Sequence, residues 1–227
     1  MKKLFTVIRQ GKLDEVKRII EQKPNLVNCV SGVLPKKDHG QSPLQVAFKA
    51  GKYEIADYLI EHGADVNFME AEDEDPGLRA PVLFDAISAT VISLCYKRFD
   101  ESELAFGYIE KLVERGADVN KLASNGYDAI NWAVSQAELL FERPSVYPQS
   151  QKAVRKQLTR ILDLLISNGA DYVAWAYRGH YAQPYPGPTN RSMYIDDFIP
   201  GDVMDIDKNK ELRAFMQEYF ISRNLHI

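Results

Sequence analysis

The chain is poor in the residues that usually announce chemistry. Two cysteines, Cys29 and Cys95, are too few for a disulfide scaffold or a four-thiolate zinc site. Four histidines lie scattered at positions 39, 62, 180 and 226, and no His-Glu-x-x-His, Gly-x-Ser-x-Gly, Walker or dinucleotide glycine pattern occurs. Nor does any charge sign dominate: 28 Lys and Arg face 32 Asp and Glu, and a net charge of −4 gives no general affinity for nucleic acid or anionic membranes. No stretch approaches 18 uninterrupted apolar residues, so a membrane span is not expected. The N-terminal apolar run is broken by Arg9, Gln10 and Gly11, and reads as an amphipathic helix rather than a signal peptide. What is present in quantity is core material. Of 227 residues, 45% are hydrophobic and 26% charged, which excludes a disordered chain and suggests one or two domains of a soluble, cytoplasmic protein.

The informative feature is internal repetition. Ile60-Glu61-His62-Gly63-Ala64-Asp65-Val66-Asn67, Val113-Glu114-Arg115-Gly116-Ala117-Asp118-Val119-Asn120 and Ile166-Ser167-Asn168-Gly169-Ala170-Asp171 agree closely, and each closes an amphipathic run. Gly40-Gln41-Ser42-Pro43-Leu44-Gln45-Val46-Ala47 opens one such unit, and Gly126-Tyr127-Asp128-Ala129-Ile130-Asn131-Trp132-Ala133 opens another. Ser42 and Asp128 suit helix N-caps, Pro43 suits a first helical position, and Gly63, Gly116 and Gly169 suit left-handed helix ends. Ala47, Ala86 and Ala133 are small enough for neighbouring helices to approach closely.

These segments resemble ankyrin repeats, with Ser42 in the family's threonine place and Gln45 in its histidine place. The third unit departs at its opening, where Arg79 replaces the usual glycine. A degenerate first unit keeps Gly11, Val16, Ile19-Ile20 and Asn28. The resemblance implies an all-α solenoid over residues 1–173, in units of about 1–28, 29–67, 68–120 and 121–173, with hairpin-like finger loops.

Closing positions at 28, 67, 120 and the equivalent 173 are spaced 39, 53 and 53 residues apart, against about 33 for a plain unit. The surplus falls in two fingers and between the paired helices of the last two units. The latter additions predict helices over 81–98, 102–115, 128–142 and 151–168, lengthened at the end opposite the fingers. Lys152, Arg155, Lys156 and Arg160 share one helical face, either a solvated surface or an anion site. The second finger carries Glu70, Glu72, Asp73, Glu74 and Asp75: a solvated loop, a surface steering a basic partner, or, without the spacing of a calcium loop, a poor metal site.

Beyond residue 173 the repeat signal stops. An aromatic, proline-interrupted segment is followed by Leu212, Phe215, Met216, Tyr219 and Phe220 on one helical stripe, with Asp205 or Asp207 as N-cap. Residues 174–227 are expected to form an extension and capping helix on the last repeat, the alternative being dimerisation through that stripe.

The resemblance implies a non-catalytic module that grips a protein partner on a concave face of finger tips and first helices. The variable positions of the family fall here on Asp38, His39, Gln41 and Lys49 in the second unit, and on Leu78 and Ser88, with Arg79 added, in the third. The fourth contributes Ser124, Asn125, Tyr127, Ser135 and Gln136, and the acidic finger adds Glu72, Asp73 and Glu74. Tyr127 and Arg79 have the side chains that most often anchor interfaces. No cofactor, metal, nucleic acid or membrane is called for, and the chain is expected to be a monomer or weak dimer. One alternative is an inhibitor or immunity protein neutralising a basic toxin or enzyme. Another is an enzyme with its site in the extension, around Arg178, His180, Asp196 and Asp197.

Overall fold

The computed structural model describes residues 2–32, 38–71, 78–173 and 209–225. Among them no strand occurs. The elements are α1 (Lys2–Arg9), α2 (Leu13–Gln22), a 3-10 turn (Pro24–Asn28), α3 (Pro43–Lys49), α4 (Tyr53–Glu61), α5 (Val82–Cys95), α6 (Phe99–Glu114), α7 (Ala129–Glu142), α8 (Gln151–Ser167) and α9 (Lys210–Ser222). They pair in sequence as four antiparallel hairpins. The first helices α1, α3, α5 and α7 stack side by side as one row. Behind them α2 packs on α4, and α6 on α8. Tyr108 of α6 closes the remaining seam, donating to Tyr53 O of α4 at 3.0 Å while their rings stack at 5.1 Å.

The recurring Gly-Ala-Asp-Val-Asn has a specific mechanical role. Asn28 Nδ2 donates to Gly63 O at 2.9 Å, and its Oδ1 accepts from Asp65 N–H at 2.7 Å. Asn67 repeats this pair of bonds onto Gly116 and Asp118, and Asn120 onto Gly169 and Asp171. Each closing asparagine therefore clamps its unit to the next. Asp65 and Asp118 set the clamp by accepting from the N–H of Asn67 and Asn120 at 2.8 and 2.9 Å. The helix starts are fixed locally. Ser42 and Gln45 form a reciprocal capping box, Asp128 accepts from Asn131 N–H at 2.8 Å, and Gln45 Nε2 reaches across to Ala80 O at 3.0 Å.

The lengthening of the third unit is evenly divided. Leu44 lies 7 residues before the left-handed Gly51, whereas Leu83 lies 14 before Lys97, which is also left-handed (φ 59°). The second helices differ likewise: 12 residues separate Gly51 from Gly63, and 19 separate Lys97 from Gly116. Each helix thus gains seven residues, close to two full turns, and the added turns keep their buried face within about 20° of its original direction. Lys97 makes the same turn as Gly51: the paired bonds Gly51 N–H to Phe48 O and Lys52 N–H to Ala47 O recur as Lys97 N–H to Leu94 O and Arg98 N–H to Ser93 O. The fourth unit matches this height, and Ser150 Oγ donates to Leu94 O at 2.7 Å to tie the extended ends together.

Helix α9 packs on α7, burying Leu212, Phe215, Met216, Tyr219 and Phe220. With its apolar stripe covered inside the chain, dimerisation through that stripe has no free surface to use. Its N-cap is Asn209, not the expected Asp205 or Asp207, which lie outside the described residues. Asn209 Oδ1 accepts from Leu212 N–H at 3.0 Å while Nδ2 donates to Glu138 O of α7 at 3.1 Å, a double duty that an aspartate could not perform. At the other end Arg223 and Tyr219 both bond Asp163 of α8, which holds that carboxyl below its ordinary range.

Most of the basic stripe on α8 is consumed in the same way. Lys156 and Arg160 meet Glu103 at 2.7 and 2.5 Å, and their hydrogen bonds depress its carboxyl. Arg155 lies 5.0 Å from the Phe141 ring and 3.5 Å from Glu211, so it joins α7, α8 and α9. This corrects the anion-site reading: these cations hold neighbouring helices together.

Candidate protein-binding surface

The row of first helices leaves one face uncovered, and its composition follows from helical register. On α5 the positions turned out of the core are Asp85, Ser88, Ala89, Ile92 and Tyr96, spaced three and four apart. On α7 the corresponding positions are Trp132, Ser135, Gln136, Leu139 and Arg143. The two sets run in step, 47 residues apart, so that the stripes lie side by side. Lys49 ends the much shorter stripe on α3.

Hydrogen bonds fix the lower half of this face. Trp132 tilts against the Phe84 ring at 5.2 Å, and its Nε1–H donates to Ser88 Oγ at 2.8 Å and to Phe84 O at 3.1 Å. Ser135 Oγ donates to Trp132 O at 2.9 Å. Lys49 Nζ stands 3.7 Å from both Glu70 and Asp85. Burial raises the Asp85 carboxyl to about 7, against the pull of Lys49 and with the help of Glu70. Glu70 has a structural task as well, since its Oε2 accepts from Ala80 N–H at 3.1 Å.

The fingers join this face at its lower edge. Ser124 N–H donates to Arg79 O at 2.9 Å and Ser124 Oγ accepts from Arg79 N–H at 3.1 Å, pairing the third finger with the second. Arg79 stands in a glycine place, yet its backbone is not left-handed, unlike Gly40 and Gly126 (φ 75° and 81°). Leu78 is 53% exposed beside it. Ser124 and Asn125 are exposed and Tyr127 half-buried, with Asn125 Oδ1 accepting from Tyr127 N–H.

The expected contact residues therefore divide. Lys49, Ser88, Ser135 and Gln136 share the open face, and Leu78, Arg79, Ser124, Asn125 and Tyr127 border it. Asp38 does not belong with them: it is 1% exposed and paired with Arg9, whose Nε lies 2.7 Å from Oδ2. It ties the first unit to the second. Gln41 is also buried, and His39 half-buried. Glu72, Asp73 and Glu74 lie outside the described residues, as do Arg178, His180, Asp196 and Asp197. Trp132, Asp85, Ile92, Tyr96 and Leu139 are members that single-unit reasoning missed. The 47-residue register between Phe84-Asp85-Ala86 and Asn131-Trp132-Ala133 is the signal that finds them.

No group of three or more potential metal ligands occurs among the described residues, and no helix among them is long and apolar enough to cross a membrane. Cys29 and Cys95 are unpaired and half-buried, and burial raises both thiols.

Residues 2–70 match the family model of ankyrin repeats (three copies). The chain carries ankyrin repeats over those residues. It is also similar to the ankyrin repeat and SAM domain-containing protein 6 of Rattus norvegicus, with 28% identity over 128 residues. That match takes in 56% of this chain but only 12% of the rat protein's length. Ankyrin repeats are in general protein-interaction modules and are typically non-catalytic. The matched residues hold α1 to α4 and the Asn28 clamp, and the hairpins α5–α6 and α7–α8 continue the same helix rows and asparagine clamps.

Proposed function

We propose that this ankyrin stack is a non-catalytic binding module that grips a protein partner on its first-helix face and the adjoining fingers. The observation that carries the reading is the continuity of polar and aromatic groups from Lys49 through Ser88, Trp132, Ser135 and Gln136 to Tyr127 and Arg79. Lys49, Ser88, Trp132 and Ser135 are held by internal hydrogen bonds or ion pairs, so little ordering of these four is needed on binding. The opposite, outer row is laced by Lys111–Asp57 and Lys156–Glu103 pairs. Two unpaired thiols suit a reducing compartment, and the cytoplasm is the location this reading takes.

The test starts from affinity capture with the full chain in its native host. A partner held by the wild type should be lost, by at least about tenfold in affinity, in Ser135→Arg/Gln136→Arg and in Tyr127→Ala. It should be retained by Glu110→Arg on the outer row. Loss with the outer variant alone would reject the first-helix face.

A narrower version makes the chain an inhibitor of a basic toxin or enzyme. The run Glu72, Asp73, Glu74 and Asp75 favours it, since such a cluster accelerates encounter with a cationic surface. Neutralising those four carboxylates should then slow association and weaken its salt dependence, while leaving dissociation nearly unchanged.

A further inference from the structure

The seven residues added to α5 and matched in α7 raise the first-helix face by about 10 Å above the end of α3, roughly the thickness of one helix. The added surface differs from what lies below it. Ile92 and Leu139 occupy equivalent places on neighbouring helices and are 41% and 39% exposed, while Tyr96 is 65% and Val146 58% exposed. Core-facing apolar positions on the same helices, such as Val91 and Leu140, are fully buried. The ledge is therefore an additional apolar surface, not a gap in the core.

Its rim is cationic. Lys97 and Arg143 are exposed, and among the described residues neither has an ion-pair partner. Arg98 lies 5.2 Å from the Tyr96 ring and already meets Glu101 at 3.2 Å. Of the exposed carboxylates at this end, Asp100 belongs to the outer helix α6. Glu142, also exposed, lies one turn beyond Glu138, whose backbone carbonyl accepts from Asn209 beside α9. Lys97 moreover holds its place at a conformational cost, since units one and two use Gly11 and Gly51 for the same left-handed turn.

We propose that this ledge binds an amphipathic helix of a protein partner, one whose apolar stripe covers Ile92, Leu139 and Tyr96 and whose flanking carboxylates meet Lys97 and Arg143. Height and charge both select that occupant: one helix fits the step, and unpaired cations at an apolar rim favour acidic flanks. The inference rests on the first-helix face being the binding face, and names the chemistry recognised at its upper end.

The probe is a display library of helix-forming peptides about 18 residues long, panned on the full chain and titrated as synthetic peptides. Enriched peptides should pair large apolar residues at helical spacing with an excess of Asp and Glu. They should bind Ile92→Asp/Leu139→Asp at least about tenfold more weakly, and Lys97→Glu/Arg143→Glu at least about fivefold more weakly, with reduced salt dependence. Both double variants change exposed positions, and their thermal midpoints should stay near that of the wild type. Enriched peptides without acidic excess, binding unaffected by the Ile92/Leu139 variant, or no enrichment above background would each overturn the ledge. If binding is instead lost in Ser135→Arg/Gln136→Arg alone, the first-helix reading survives and the ledge fails. If none of these variants matters, both fail.

Discussion

At the scale of residues, the closing asparagines show how one side chain couples two units. Asn67 satisfies Gly116 O and Asp118 N–H at once, at 2.8 and 2.7 Å. Replacing it by alanine removes two net hydrogen bonds at an exposed site, a loss of about 1–2 kcal/mol that urea denaturation would read as a lower midpoint. Asp85 works in the opposite sense. An unfolded aspartate titrates near 3.8 and this one near 7, so between those values the folded state holds the proton more tightly and stability falls as pH rises. A neutral amide at this position would carry no such penalty. Asp85→Asn should therefore gain thermal stability over the wild type progressively from about pH 4 to about pH 7, and little further above that. A gap that stays constant over this range would mean that Lys49 already neutralises the carboxylate in full.

At the scale of elements, helix length was changed without changing helix phase. Seven residues in α5 and seven in α6 bring the extended turns back to the same face, which is why Val91 and Leu94 continue the buried side begun by Leu83 and Ile87. The connection between these helices violates local preference. Lys97 in a left-handed conformation costs about 1–2 kcal/mol, part of which glycine would return as unfolded-state entropy. Lys97→Gly should raise the thermal midpoint by a few degrees. If the ledge takes an acidic helix, the same substitution should weaken that peptide, a stability gain set against a binding loss.

At the scale of the whole molecule, stability is passed between neighbours, because each unit touches only the next. Phe215 of α9 lies 5.5 Å from the Phe141 ring and close to Arg155, so it belongs to the last seam. Phe215→Ala should cost about 3 kcal/mol, and the loss should be local. Hydrogen exchange would be expected to speed up in α7 and α8 and to stay unchanged in α1 and α2. Equal acceleration throughout would show instead that all units unfold as one.

The sequence by itself determined the repeat, the helices and the caps at Ser42 and Asp128. Asp128 and Ser42 announced their helix starts, glycines their ends, and the lengthened pairs appear as α5, α6, α7 and α8 within a few residues of their expected bounds. These features depend on groups within about four positions of one another, so periodicity and turn chemistry suffice to find them. Only the tertiary structure decided which charged and apolar groups remain available. Asp38 looked like a contact residue and is consumed by Arg9, 29 positions away. Lys156 and Arg160 looked like an open cationic stripe and are consumed by Glu103, 53 and 57 positions away. Ile92 and Leu139 are apolar yet stand exposed on the stripe turned out of the core, and Ile92 rises beyond the end of α3 in the neighbouring unit. Exposure is a property of what stands beside a residue, and in a stack of unequal units that neighbour is set by the lengths of other helices.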